Sequence, residues 1–200
     1  MKEINARGLA CPAPVLQTKN ILEEEHPDQL CVTVDNEAAQ QNVQRFLESK
    51  GLQTLLKQQG DDYLVYGTST SSPIIQKKQT KTVSPVSSGA QKILIMCATD
   101  RMGDGDDELG KKLMHSFLAT LNEMDELWQL VFVNNGVKLT IDTSEILNSL
   151  KKLEKNGVNI LVCGTCLTHF NLLDKKQVGV TTNMLDIISG MQLADKVINL

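Results

Sequence analysis

Three almost wholly apolar runs, separated by connections long enough to hold helices, constrain residues 91–200 more than any other feature of the chain. Lys92-Ile93-Leu94-Ile95-Met96-Cys97 is the first, residues 127–133 the second, and Val158-Asn159-Ile160-Leu161-Val162-Cys163 the third. A strand with one wet face alternates apolar and polar residues. A strand that is apolar throughout is covered on both faces, and long connections make such strands parallel. The connections read as amphipathic helices. Residues 107–123 set Leu109, Leu113, Phe117 and Leu121 at helical spacing, and residues 143–156 do the same with Ile146, Leu147, Leu150 and Leu153. A shorter helix over 184–190 and a strand over 196–200 complete an open, mainly parallel, five-stranded, three-layer α/β domain.

Residues 1–67 read differently, as a small two-layer β-α-β-α-β-β sandwich. Strands are expected over 1–6, 29–35, 53–58 and 63–66, and helices over 12–25 and 37–49. Gly51 suits the end of the second helix and Gly60-Asp61 a hairpin turn. Between the domains, residues 68–90 are rich in Ser and Thr, contain Pro73 and Pro85, and carry Lys77, Lys78 and Lys81 without an acidic residue. That composition cannot build a core, so the stretch reads as a flexible linker with an r.m.s. reach of about 25 Å.

The net charge of −4, with no basic block outside the linker, argues against nucleic acid as a partner. No run of 18 apolar residues and no leader pattern is present, so a soluble, cytoplasmic protein away from the membrane is expected. Gly103, Gly105 and Gly110 lack the Lys and Ser or Thr of a phosphate loop. The carboxylates of Asp104, Asp106, Asp107 and Glu108 among them suit the start of a helix better than a phosphate or a metal. No cofactor and no metal is called for.

Five cysteines, at 11, 31, 97, 163 and 166, lack the dense spacing of a disulfide scaffold and read as reduced thiols. Cys11 lies in Arg7-Gly8-Leu9-Ala10-Cys11-Pro12-Ala13-Pro14, directly before a helical pattern. With Pro12 as first helical residue, Cys11 is the N-cap. Its sulfur then sits near unpaired amides and the positive end of the macrodipole, which favours a thiolate or persulfide anion. Cys31 and Cys97 read as core thiols.

At the carboxyl ends of the parallel strands, where such sheets bind ligands, three segments gather: residues 97–105, Asn134-Asn135-Gly136, and Cys163-Gly164-Thr165-Cys166. Cys163 ends its strand and Cys166 lies in the following turn or first helical turn, so Cys166 is the reactive candidate. His169, three residues on, is placed to hold its thiolate. Cys163-x-x-Cys166 is half of a zinc site, but no full ligand set accompanies it. Because the pair begins at a strand end instead of opening a helix, a thioredoxin-like couple is disfavoured.

Arg7-Gly8, Cys11-Pro-x-Pro14 and Thr18-Lys19 resemble the TusA-like or SirA-like sulfur-carrier domain, over residues 1–67. Asn5 stands where that family commonly has Asp, which removes a charge but keeps a side chain for turn hydrogen bonds. Residues 91–200, through Gly105-Asp106-Asp107-Glu108-Leu109-Gly110 and Val162-Cys163-Gly164-Thr165-Cys166, resemble the DsrE/DsrF-like fold. The tandem is similar to the YedF family of sulfurtransferase-like selenium metabolism proteins. The resemblance implies sulfur or selenium transfer through a persulfide or selenosulfide on Cys11, relayed to Cys166. Arg7, Pro12, Pro14, Lys19, Cys163, Gly164, Thr165 and His169 would support it. It further implies a persulfide donor such as a cysteine desulfurase, a thiol or selenium-pathway acceptor, and a homo-oligomer formed through the second domain. Two other classes stay open: a noncatalytic docking or regulatory protein, and a dithiol oxidoreductase using Cys163 and Cys166.

Overall fold

Leu30, Val32 and Val34 alternate with Cys31 and Thr33, and that alternation decides which face of the first sheet is covered. The computed structural model describes residues 1–69 and 91–200, which fall into two separate units divided between Gly89 and Ala90. Most of the expected linker, residues 70–90, lies outside the described residues.

The first unit runs β1 (Lys2–Asn5), α1 (Ala13–Glu25), β2 (Gln29–Val34), α2 (Glu37–Ser49), β3 (Gln53–Gln59) and β4 (Asp62–Thr68). Its sheet has the order β1-β2-β4-β3, with β1 parallel to β2 and the other pairs antiparallel. Leu30 faces α2: a Cβ built on its partner Gly67 would stand 3.2 Å from the side chains of both Leu30 and Leu47. Cys31 therefore points to the opposite face. It is buried there beside Tyr66, its cross-strand neighbour and hydrogen-bond partner, and not in the core between sheet and helices. Gly51, at φ +83°, closes α2 as Leu52 N–H reaches back to Leu47 O at 3.1 Å. Gly60, at φ +63°, makes the two-residue turn from β3 to β4.

The second unit contains β5 (Ile93–Cys97), α3 (Asp107–Thr120), β6 (Leu127–Phe132), α4 (Leu147–Lys155), β7 (Asn159–Cys163), α5 (Gly164–His169), β8 (Val180–Thr182), α6 (Met184–Leu193) and β9 (Lys196–Asn199). The sheet order is β8-β7-β6-β5-β9, and every pair is parallel. Ile95, Leu130, Phe132, Ile160 and Val162 pack with Met114 and Leu118 of α3 and Leu150 and Leu153 of α4. On the other face, Leu94, Val131 and Leu161 pack with Ile187 of α6. The sheet thus lies between two helical layers, as its apolar strands require. At three residues, β8 is too short to carry a periodic signal of its own.

The acidic segment caps α3. Asp106 accepts Leu109 N–H at 2.8 Å, and Arg101 pairs with Asp107 at 2.7 Å. The first half of the buried face of α3 differs from the expected one: Leu109 and Leu113 are 54% and 44% exposed while Gly110, Met114 and Leu118 are buried, whereas Phe117 and Leu121 pack against the core as expected. The cause is a close approach at Gly110. Its carbonyl takes the Met102 N–H at 2.9 Å, and a Cβ there would lie 3.1 Å from Met102 O. That contact turns the 110–114–118 row inward.

Leu118→Ala is expected to lower stability by about 2–5 kcal/mol, and Leu113→Ala to change it by less than about 0.5 kcal/mol. Urea unfolding of the full chain, followed at its single tryptophan, Trp128 in the second unit, makes the comparison. Equal losses at the two positions would restore the other helical face.

Candidate functional site

Cys11 is half-buried at the start of α1, but it is not the N-cap. Ala13 N–H donates to Ala10 O at 2.8 Å, closing a turn that takes up Cys11 and Pro12. Pro12 therefore becomes the N-cap, Ala13 opens the helix and Pro14 occupies its second position. Two prolines bring no N–H and Ala13 has spent its own. Among the described residues, Val15 thus supplies the one unspent amide of the first turn. Cys11 keeps its place at the positive end of a 13-residue helix, with fewer donors around it than the sequence suggested.

The loop before Cys11 is pinned from three sides. Asn5 Oδ1 accepts Arg7 N–H at 3.3 Å and Arg7 Nε–H at 3.0 Å, while Arg7 reaches Asp62 at 2.9 Å. Gly8, at φ +71°, donates its N–H to Asp35 Oδ2 at 2.6 Å. That bond is the largest cause holding the Asp35 carboxyl below its ordinary pKa. Arg7 is therefore a strut of this loop. Asp35 and Asp62 were not singled out from sequence, because acids distant in the chain give no local sign that they will meet it. Leu9 and Leu16, on either side of Cys11 in the chain, are exposed. Thr18 is fully buried and donates to Pro14 O at 2.8 Å, and Lys19 pairs with Glu23 at 3.9 Å. Lys19 also lines a cavity of about 280 Å³ with Leu22, His26, Phe46 and Lys50.

The second cysteine site stands where β7 runs into α5. Cys163 is at once the last residue of β7 and the N-cap of α5, so the Cys-x-x-Cys pair does open a helix, contrary to the sequence expectation. No residue intervenes because Gly164, itself buried, turns the chain straight into the helix. Thr165 is exposed and Cys166 half-buried in the first turn, with Cys163 only 5% exposed behind it.

Cys166 Sγ is held by two donors: the Cys163 thiol and the backbone N–H of Asn134, at 3.1 Å. The Cys163 bond is the largest cause lowering the Cys166 thiol to about 6; burial opposes it, and the Asn134 N–H and the charge of His169 add to it. Asn134 adopts φ +47°, a left-handed conformation that asparagine tolerates better than most residues. Its segment, the 3-10 helix Asn134–Thr140, is seated by Gly136: a Cβ there would fall 2.1 Å from Cys97 O. The three strand-end segments do gather.

His169 acts on Cys166 only through space, and no hydrogen bond joins them among the described residues. Helical side chains tilt toward the N-terminus, which sends Sγ toward Cys163 and Asn134 and away from a histidine one turn later. The His169 ring meets Phe170 edge-on, with centroids 5.0 Å apart, and Lys138 Nζ lies 4.7 Å above the Phe170 ring. Cys97, buried at the same end of the sheet, has its thiol pushed up to about 12 by desolvation. Burial likewise raises Cys31.

The Sulfurtransferase TusA family matches residues 2–68, and the DsrE/DsrF-like family matches residues 91–200. A Methanocaldococcus jannaschii protein named as a candidate sulfur carrier is 38% identical over 60 residues, spanning 30% of this chain and 80% of that protein. A solved SirA-like protein from Desulfitobacterium hafniense is 31% identical, covering 34% of this chain and 96% of its own, with a TM-score of 0.32. Two others each cover 55% of this chain and 99% of their own. They are YchN of E. coli, at 16% identity and a TM-score of 0.43, and a protein of unknown function from Methanobacterium thermoautotrophicum, at 19% and 0.41.

The alkylation rate of Cys166 in the full chain should rise with pH around a midpoint near 6, because the thiolate is the reacting form. Removing its strongest donor with Cys163→Ala should move that midpoint up toward the ordinary thiol range. Peptide mapping after timed iodoacetamide pulses measures both. An unmoved midpoint would show that Cys163 does not stabilise the thiolate.

Proposed function

We propose, for a chain that belongs to the TusA family through residues 2–68 and to the DsrE/DsrF-like family through residues 91–200, that it transfers sulfur by thiol–persulfide exchange, with Cys11 as first carrier and Cys166 as second. The observation that carries this reading is accessibility: of the five cysteines, Cys31, Cys97 and Cys163 are buried, and only Cys11 and Cys166 are reachable. The relative named for sulfur carriage matches the Cys11 side of the chain.

In the first step the Cys11 thiolate attacks the outer sulfur of a donor persulfide. The S–S bond breaks, the donor thiolate leaves, and Cys11 holds the persulfide. The Cys166 thiolate then attacks that outer sulfur and the Cys11 thiolate leaves, so neither step consumes a net proton or electron. A thiol lowered to about 6 is mostly ionised at neutral pH, which suits Cys166 to receive sulfur without a general base. Pro12 and Pro14 shape the helix start behind Cys11, and Arg7 fixes the loop before it.

The donor in this reading is a cysteine persulfide on another protein, as a cysteine desulfurase would present, in the cytoplasm. The acceptor is a thiol or a selenium-pathway protein. Selenium enters through the resemblance of the tandem to YedF proteins, and the exchange admits it in place of sulfur. No helix among the described residues is long and apolar enough to cross a membrane. The apolar side chains exposed on α3 and α6, Leu109, Leu113, Met184 and Ile188 among them, support self-association through the second unit.

After incubation with a protein persulfide donor of the cysteine desulfurase class, peptide mapping should find one added sulfur on Cys11 and one on Cys166. Cys11→Ser should abolish the first and reduce the second by at least tenfold, whereas Cys166→Ser should leave Cys11 loaded. Tight donor binding without added mass would leave a docking protein, and equal labelling of Cys166 without Cys11 would break the order.

A further inference from the structure

The carrier reading uses Cys163 only as a hydrogen-bond donor, yet this thiol is a nucleophile already in contact with the sulfur that would bear the load. It is hydrogen-bonded to Cys166 Sγ itself and is buried, whereas Cys166 is only half-buried. Cys163 is buried and Cys166 is the more exposed of the pair, so a sulfur atom added to Cys166 on its solvent side would leave Sγ between the Cys163 sulfur and the added atom. Thiol–disulfide exchange requires attacking, central and leaving sulfurs in a row. The spacing fits the product as well: an N-cap residue and the third residue of the helix it caps stand one turn apart, roughly 5–6 Å at Cα, inside the roughly 4.4–6.8 Å that a disulfide spans.

Resting on the reading that Cys166 carries sulfur, we infer that Cys163 resolves the Cys166 persulfide, expelling the carried atom as hydrosulfide and closing a Cys163–Cys166 disulfide. The Cys163 sulfur attacks Cys166 Sγ. The bond from Sγ to the outer sulfur breaks, its electron pair leaves with that sulfur, and the Cys163 proton goes to it. The carried sulfane sulfur is reduced by two electrons, and each cysteine gives up one. An external dithiol of the thioredoxin class then reduces the disulfide, supplying two electrons and two protons, and returns both thiols. Cys163 is shielded from competing thiols, so the second unit becomes a place where the load is discharged as free sulfide, or as selenide when selenium is carried.

The test uses the full chain with Cys11→Ser and an excess of glutathione persulfide, a small donor that reaches Cys166 without Cys11: the Cys166 thiolate takes its outer sulfur and glutathione thiolate leaves. Sulfide release is read together with the mass of the 163–166 peptide. With Cys163 intact, about one sulfide per chain should appear together with the loss of two hydrogens from that peptide, and dithiothreitol should reset it for a second round. Cys163→Ser keeps a donor but no nucleophile. It should retain the added sulfur on Cys166 and release at least tenfold less sulfide, and Cys163→Ala should retain the sulfur likewise. If the persulfide persists equally with Cys163 present and no disulfide forms, the resolving role is overturned while carriage by Cys166 stands. If Cys166 takes up no sulfur in any variant, the carrier reading itself falls.

Discussion

No side-chain carbon fits between residue 136 and the Cys97 carbonyl, and the second site is built on that closeness. Gly136 lets the 134–140 segment sit directly on the end of β5, which brings the Asn134 amide to the end of β7. A larger residue would lift the segment off the sheet edge and carry the amide with it. The thiolate of Cys166 therefore depends on a packing contact in which no sulfur takes part.

The five thiols illustrate how position alone separates one residue type into different chemical species. Cys97 and Cys166 lie at the same end of one sheet, yet one is pushed up to about 12 and the other lowered to about 6. Desolvation without donors explains the first; two donors and a nearby histidine outweigh burial in the second. Cys31 shows a third arrangement, a thiol sealed on the outer face of a sheet by a tyrosine hydrogen-bonded to it. Cys11 differs again: its surroundings are set by two prolines and a loop anchored on Asp35 and Asp62, more than by free amides.

Much of this architecture was legible in the chain. β5, β6 and β7 announce themselves because strands covered on both faces have no polar alternation to hide in. What escaped was decided by contacts between distant residues. Leu109 and Leu113 look as apolar as Met114 and Leu118, and the approach of Gly110 to Met102 selects the second pair. Pro12 is a good first helical residue in isolation, but the Ala10–Ala13 turn claims it. At the candidate site, the spacing of Cys163 and Cys166 was visible, and strand direction placed both at the carboxyl end of the sheet. The donor from Asn134 and the tilt of Sγ away from His169 belong to three-dimensional geometry alone.

Asn134 contributes to the sulfur through its main chain, and main-chain groups are common to nearly every amino acid. What position 134 demands is tolerance of a left-handed turn, a demand that glycine or aspartate would also meet. Comparing side-chain identities there would reveal little of this function, whereas exchanging the residue for a β-branched one would disturb it at once. The feature that tunes the thiol is thus inherited as a backbone shape rather than as a letter.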